Sequence, residues 1–258
     1  DCKSLHPGSI PGEASNMLSH WRAGWTFAAT GHGQWARSGT AHRHRAPESR
    51  WDGDMTSDFS LLRRHMVDSQ LRTTSVSALD VLEAFLSVPR EEFVPARKRD
   101  LAYIDEDVEV SAGRYLMEPS PLARLVQLAG VRPSDVVLDV GCATGYSAAI
   151  LSRLASSVIA VEPDEDLAAR AGDTLAELGY DNVVVLNRPL REGCAQEAPY
   201  DVILIDGAVD EVPQALSDQL RDGGRLVAVE GTGNAGVAKV FVRDGDVVSG
   251  RRAFNCSV

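Results

Sequence analysis

The sequence lacks the features that mark membrane-spanning, disulfide-stabilised and metal-binding proteins. No apolar run approaches the roughly 20 residues that a membrane-spanning helix needs. The four cysteines are scattered, with no C-x-x-C pair and no histidines at metal-ligand spacing, which indicates reduced thiols in a cytosolic protein. We therefore predict a cytoplasmic protein with no bound metal and no membrane association.

The chain also contains fewer basic than acidic residues. The chain has 26 Lys and Arg against 37 Asp and Glu, a net charge of −11. Because binding to a phosphate backbone needs a basic face, this composition argues against a nucleic-acid partner. The length of 258 residues suits one α/β domain with an extension, and we expect a monomer.

Residues 1–54 differ in composition from the rest of the chain. They hold all four tryptophans and five of the six histidines, and neither helical nor strand periodicity persists there. We interpret them as a disordered leader, and one interpretation places them upstream of the true start, which would then be Met55. A nucleic-acid or metal-binding arm built on residues 42–45 is the alternative interpretation. Residues 55–130 are predicted to form an N-terminal helical part, and residues 131–258 a Rossmann-like core.

The most informative stretch is Val136-Val137-Leu138-Asp139-Val140-Gly141-Cys142-Ala143-Thr144-Gly145-Tyr146. An apolar, β-branched run ends in an acid and two glycines, and a helical pattern follows. A strand, a glycine turn and a helix open a nucleotide-binding βαβ unit, in which glycines let the backbone bend sharply beside a ligand. Glu162 ends the next predicted strand, where an acid can accept hydrogen bonds from ribose hydroxyls.

The spacing of the glycines distinguishes between possible classes of nucleotide ligand. A dinucleotide fingerprint requires glycines at positions 141, 143 and 146, but positions 143 and 146 are Ala and Tyr. The pattern Asp139-x-Gly141-x-x-x-Gly145 instead resembles the first motif of class I S-adenosylmethionine-dependent methyltransferases. This resemblance implies that the chain binds S-adenosyl-L-methionine through Asp139, Gly141, Cys142, Ala143, Gly145 and Glu162.

Hydrophobic periodicity predicts helices before the loop and alternating strands and helices after it. The second helix is predicted to begin at a capping box made by Ser77 and Asp80. The predicted helices cover residues 57–73, 77–88, 119–129, 146–154, 164–178 and 212–220, with a short helix or turn at 91–101. The predicted strands cover residues 136–140, 157–161, 182–186, 200–205 and 225–229, followed by a closing pair from 237 and 247. We predict an α/β fold: a doubly wound, mostly parallel seven-stranded Rossmann-like methyltransferase sheet with an N-terminal helical extension.

Segments outside the loop resemble one methyltransferase family. The strings Met66-Val67-Asp68-x-Gln70-Leu71-Arg72 and Val88-Pro89-Arg90-Glu91-x-Phe93-Val94-Pro95 are similar to the amino-terminal signature of protein-L-isoaspartate O-methyltransferases. This resemblance implies transfer of a methyl group from S-adenosyl-L-methionine to the free carboxylate of isoaspartyl residues in damaged proteins, which starts their repair. Because a carboxylate with a pKa of about 4 is already ionised near neutral pH, no general base is required. The absence of histidine after position 65 suits that chemistry.

The chain departs from this family at three places in the expected site. Leu116-Met117-Glu118-Pro119 stands where the family usually has Ile-Ser-x-Pro, and Arg188-Pro189-Leu190 stands where it has Gly-Asp-Gly. The small-residue turn predicted after the fourth strand reads Asp206-Gly207-Ala208-Val209. The resemblance places Leu116, Met117, Pro163, Pro189 and Leu190 at the cofactor, and Met117, Glu118 and Asp206 at the reacting groups. A small-molecule acceptor, a different protein acceptor, and a non-catalytic cofactor-binding relative remain alternatives. Met117 could also be a core residue, and Glu118 a solvated acid at a helix start.

Overall fold

The computed structural model describes residues 58–231 and 233–258. The predicted leader and the plausible start at Met55 lie outside the described residues. No helix in the described part of the chain is long and apolar enough to cross a membrane.

The part before the glycine loop is mainly helical. Helix α1 begins after Asp58, whose side chain accepts hydrogen bonds from the Ser60 and Leu61 amides. It runs into a π-helical turn and a 3₁₀ turn, and two further 3₁₀ turns (Arg90–Phe93 and Ala96–Leu101) follow α2. The elements are α1 (Phe59–Met66), the π turn (Val67–Leu71), the 3₁₀ turn (Arg72–Thr74), α2 (Leu79–Ser87), β1 (Val108–Ser111), β2 (Arg114–Leu116) and α3 (Pro119–Ala129).

Seven strands of the remaining chain form one sheet in the order β5-β4-β3-β6-β7-β8-β9. Its elements are β3 (Val136–Val140), α4 (Tyr146–Ser152), β4 (Ser157–Glu162), α5 (Glu165–Glu177), β5 (Val183–Asn187), β6 (Tyr200–Val209), α6 (Gln214–Ser217), β7 (Leu220–Glu230), β8 (Val237–Asp244) and β9 (Val247–Asn255). Strands β3 to β7 are parallel, and β8 and β9 are antiparallel to their neighbours. The predicted fold class is confirmed. Strand order reverses between β3 and β6, where ligands of such sheets bind beyond the carboxyl ends of the strands.

The two faces of the sheet pack against layers of different thickness. Val137 faces a large core that includes the N-terminal helices, α3, α4 and α5. Leu138 faces a smaller core that includes α6. Because side chains alternate along a strand, Asp139 shares the face of Val137 and is covered by the thicker layer.

The predicted capping box of the second helix is wrong. Helix α2 begins after Ala78, which makes no side-chain cap. The amides of Ser77 and Ala78 instead donate to Oε1 of Gln127 at 2.7 and 2.9 Å. The carboxylate of Asp80 accepts a hydrogen bond from the adjacent Val81 amide at 2.9 Å. A side chain of α3 thus satisfies the amides that a local cap was predicted to satisfy.

The remaining differences lie at element boundaries. The β1–β2 hairpin was not predicted, because its strands are only four and three residues long. Helix α6 is shorter than predicted, and β7 begins at Leu220 rather than at Arg225. Strand β6 continues past the predicted end at Ile205 to Val209, and its register with β7 shifts between Leu204 and Ala208. Asp206 therefore lies within the strand and not in a turn after it.

Candidate functional site

The loop between β3 and α4 makes its bend with left-handed backbone at three positions. Gly141, Ala143 and Gly145 have φ angles of +93°, +48° and +95°. A Cβ on Gly145 would lie 3.1 Å from Cδ1 of Leu175 and 3.2 Å from Cβ of Ala171, so a larger residue would press on α5. At Ala143 the same conformation costs an L-residue roughly 1–2 kcal/mol. The bend is tight and strained, and other contacts must hold it in place.

Two hydrogen bonds that involve side chains tie this loop to other parts of the structure. The Thr144 hydroxyl donates to the carbonyl of Phe93 at 2.6 Å, which ties the loop to the N-terminal part. The Ala143 amide donates to Oε2 of Glu162 at 2.9 Å, which ties it to the end of β4. The Glu162 carboxylate therefore faces the glycine loop.

Asp139 is buried, and its carboxylate is only half satisfied. Its Oδ2 accepts a hydrogen bond from the Ser147 hydroxyl at 2.7 Å, whereas its Oδ1 has no partner among the described residues. Burial raises the pKa of Asp139 well above its ordinary value, and the nearby charge of Asp206 raises it further. A buried acceptor without a partner is costly, so an N–H or cationic group of a ligand that reached Oδ1 would remove that cost.

The carboxylate of Glu162 differs from that of Asp139, because both of its buried oxygens accept hydrogen bonds. Arg114 of β2 forms a bidentate ion pair with it, from Nη1 to Oε1 and from Nη2 to Oε2, both at 2.5 Å. The amide of Asp164 also donates to Oε1, at 3.1 Å. The sequence did not indicate Arg114 as a site residue, because its partner is 48 positions away and the hairpin that carries it was not predicted.

Asp206 is partly buried near the carboxyl end of β6. Burial raises the pKa of its carboxyl group to about 6, and the charges of Arg90 and Arg114 oppose that rise. Cys142 lies in the glycine loop and is completely buried, which raises the pKa of its thiol well above the ordinary value. A thiol in that state is a poor nucleophile, so we assign Cys142 a packing role.

A cavity of about 600 Å³ opens at the same edge of the sheet. The side chains of Pro189 and Leu190 line it after β5, and Asp206 and its neighbours line it at the end of β6. A Cβ on Gly141 would lie 3.3 Å from the carbonyl oxygen of Asp206 and 4.0 Å from Cδ1 of Leu190. The glycine loop therefore runs beside the cavity, and Gly141 allows the close approach. Pro163 is exposed at the end of β4.

The segment Leu116 to Pro119, which departs from the family pattern, runs from the end of β2 to the start of α3. Leu116 and Met117 are buried in the larger core, with Met117 only 6% exposed. Glu118 is partly exposed, and its pKa is raised by burial and by the nearby acids Asp105 and Asp107. The thioether of Met117 provides no hydroxyl at this position.

A buried arginine connects this segment to the N-terminal part. Arg90 donates from Nε to the carbonyl of Ala102 at 2.6 Å and from Nη2 to the carbonyl of Met117 at 2.8 Å. Its guanidinium carbon lies 4.8 Å from the centre of the Tyr146 ring. Arg90 belongs to the string that carries the family resemblance, and in the structure it holds Met117 and Tyr146 in fixed positions.

These observations fit a ligand with an adenosyl group and an amino-acid group. The unpartnered Oδ1 of Asp139 suits an ammonium group, and the cavity beside Leu190 suits an adenine ring. The Glu162 carboxylate can accept from a ribose diol only in exchange for a partner it has in this structure. Within the described residues, no group of three or more His, Cys, Asp or Glu side chains is placed to hold a metal ion.

Comparison with known proteins identifies relatives of this chain. The family model for protein-L-isoaspartate(D-aspartate) O-methyltransferase matches residues 62–257. The chain is 42% identical over 179 residues to protein-L-isoaspartate O-methyltransferase of Koribacter versatilis (strain Ellin345), which covers 69% of this chain and 80% of that relative. Against the enzyme of the same name from Roseiflexus castenholzii (strain DSM 13941 / HLO8), it is 37% identical over 195 residues, covering 76% of this chain and 89% of that one.

Solved structures agree. The fold resembles that of a protein-L-isoaspartate O-methyltransferase with a TM-score of 0.65 and 27% identity, over 75% of this chain and 64% of that one. A Plasmodium falciparum structure in complex with S-adenosyl-L-homocysteine is similar in fold, with a TM-score of 0.64 and 21% identity over 78% of this chain and 96% of that one. The strand order, the glycine loop and these matches lead to one conclusion: the chain belongs to the protein-L-isoaspartate O-methyltransferase family.

Proposed function

We propose that this chain transfers a methyl group from S-adenosyl-L-methionine to the free carboxylate of L-isoaspartyl residues in damaged proteins. The observation that carries the proposal is the strained Gly141–Gly145 bend, which lies between the half-satisfied Asp139 carboxylate and the Glu162 carboxylate. Family membership supplies the acceptor class.

When bound, S-adenosyl-L-methionine supplies an electrophilic methyl group on a sulfonium sulfur. The protein has three tasks: to bind, to align and to exclude water. We assign binding to Asp139 and Glu162, and alignment to the bend that Thr144 and Glu162 hold. Since the acceptor carboxylate is ionised at neutral pH, no residue has to remove a proton from it.

Glu118 and Asp206 could repel an anionic acceptor, and their environments reduce this repulsion. The pKa of each is raised, by burial first, so each holds a proton more readily than a free carboxyl group. At an effective dielectric constant near 20, two like charges 4 Å apart would repel by roughly 4 kcal/mol. Because both groups are easier to protonate than a free carboxyl group, uptake of a proton as the acceptor approaches would remove that repulsion.

A paired-peptide assay tests the proposal. Radiolabelled S-adenosyl-L-methionine is offered with a peptide that contains one isoaspartyl residue, and separately with its aspartyl twin. We expect label in the isoaspartyl peptide alone, as a base-labile methyl ester. Binding of S-adenosylhomocysteine without methylation of either peptide would contradict the assigned acceptor. It would favour a small-molecule acceptor, a possibility that the replacement of the family serine by Met117 raises.

We also propose that the protein acts in the cytoplasm as a monomer and without a nucleic-acid partner. The described cysteines Cys142, Cys194 and Cys256 are unpaired, which suits a reducing compartment. The net charge of −11 disfavours a phosphate backbone as partner. Light scattering coupled to gel filtration tests the monomer, for which we expect a mass near 27.7 kDa.

A further inference from the structure

Glu162 has no free hydrogen-bonding capacity for a ribose in this structure. A carboxylate presents about four acceptor positions. The amides of Ala143 and Asp164 use two of them, and the two terminal nitrogens of Arg114 use the others. The two amides are fixed by the fold, so a ribose diol can reach this carboxylate only where Arg114 now binds.

The position of Arg114 would allow its side chain to move away from Glu162. It lies on a two-stranded hairpin that is separate from the seven-stranded sheet, and its side chain is 28% exposed while that of Glu162 is 0% exposed. Within the described residues its guanidinium makes hydrogen bonds to Glu162 alone. Arg90, by contrast, is fully buried and held by two main-chain carbonyls.

We propose that Arg114 occupies the ribose-diol position of the cofactor-free protein and must leave Glu162 before the cofactor can bind. The proposal rests on the proposed function, because it takes Glu162 to be the ribose-binding group. The Arg114 guanidinium and the ribose diol each have two donors, and they compete for the same two acceptor positions of Glu162. The ion pair keeps a buried charge neutralised until the cofactor arrives, and it lowers cofactor affinity by the free energy needed to separate it.

The test measures the affinity for S-adenosylhomocysteine by calorimetry in the full chain and in three variants. We expect Arg114→Gln to bind at least ten-fold more tightly than the unchanged protein, equivalent to about 1.4 kcal/mol at 25 °C. Arg114→Lys keeps the charge but loses the bidentate geometry, so its affinity should be intermediate.

Arg221→Gln is the matched control. Arg221 also pairs with a carboxylate at 2.5 Å, that of Asp201, but at the amino edge of the sheet. We expect its affinity to stay within two-fold of the unchanged protein. A second measurement needs no variant in the binding step: in protein labelled with ¹⁵N-arginine, the Arg114 side-chain resonance, identified by its loss in Arg114→Lys, should move towards that of free arginine as S-adenosylhomocysteine is added.

The outcomes separate this proposal from the proposed function. Equal or weaker binding by Arg114→Gln, or an Arg114 resonance that does not move in the saturated protein, would overturn the proposal while leaving the function intact. If neither the unchanged protein nor any variant bound S-adenosylhomocysteine, the proposal and the proposed function would both fall.

Discussion

Strands β3 and β6 each have one acid at or just before the amino end and another towards the carboxyl end, and the two acids of each strand have different environments. At the amino edge, Asp135 accepts from Arg225 at 2.8 Å and from the Arg132 amide at 3.0 Å. At the carboxyl edge, Asp139 has an oxygen without a partner among the described residues, and burial raises its pKa well above the ordinary value.

Strand β6 repeats the contrast. Asp201 at the amino edge pairs with Arg221 at 2.5 Å and accepts from the Val136 amide at 2.9 Å. Asp206 at the carboxyl edge has its pKa raised to about 6 by burial. The amino edge thus uses its acids to join strands and helices. Asp139 and Asp206, towards the carboxyl ends of β3 and β6, lie in environments that disfavour their charge, as acids in binding sites commonly do.

The largest difference in stability should appear when a glycine near each edge of the sheet is replaced by alanine. Gly145→Ala forces a side chain into φ +95° and into Leu175 and Ala171, and we expect a loss of about 2–5 kcal/mol in the free energy of unfolding. Gly179→Ala, at the end of α5 near the amino edge, has φ +76° with nothing within 4 Å of the added Cβ, and should lose only about 1–2 kcal/mol. Urea unfolding of both variants measures the difference. Equal losses would show that the loop is not tightly packed on α5.

The second comparison exchanges the acids of β3 for amides. We expect Asp139→Asn to weaken S-adenosylhomocysteine binding at least 100-fold, about 2.7 kcal/mol, because an amide cannot form an ion pair with the ammonium group of the ligand. Its stability should stay within about 1 kcal/mol of the unchanged protein, since a costly buried group is removed. Asp135→Asn should do the reverse, losing roughly 2–4 kcal/mol of stability with cofactor affinity unchanged. Calorimetry and urea unfolding of both proteins check this, and weaker binding by Asp135→Asn would break the distinction between the edges.

The third comparison concerns pH and the acids of β6. Because the pKa of Asp206 is about 6 in the folded protein and 3.8 ordinarily, the folded state binds the proton more tightly than the unfolded chain. The contribution of Asp206 to the free energy of unfolding should therefore fall as pH rises from about 4 to about 6 and stay lower above it. Asp206→Asn removes this loss, so above pH 6 it should be more stable by about 1–3 kcal/mol.

Asp201→Asn is the control at the amino edge. It loses an ion pair and a main-chain hydrogen bond, so at neutral pH it should be less stable than the unchanged protein by about 1–3 kcal/mol. Urea unfolding at several pH values between 4 and 8 measures both variants. If Asp206→Asn kept the full decline between pH 4 and 6, another group would be responsible for it.

Local sequence patterns predicted much of this fold. Helix α3 and strand β3 have the predicted bounds, because each has an unambiguous period and a clear boundary residue, Pro119 in one case and Gly141 in the other. The seven strands were all anticipated, with errors of a few residues at their ends. The capping box at Ser77 failed because its helix start is satisfied by Gln127, a residue 50 positions away.

The sequence by itself determined the glycine bend, the acids at the ends of β3, β4 and β6, and the family, since each depends on residue types at short or regular spacing. Only the tertiary structure decided which acids have partners. Arg114 meets Glu162, and Arg225 meets Asp135, across 48 and 90 positions of sequence. Such pairs form because the sheet brings distant segments to the same edge. Once an acid is buried, a partner stabilises the fold and the lack of a partner destabilises it. No local pattern records that outcome.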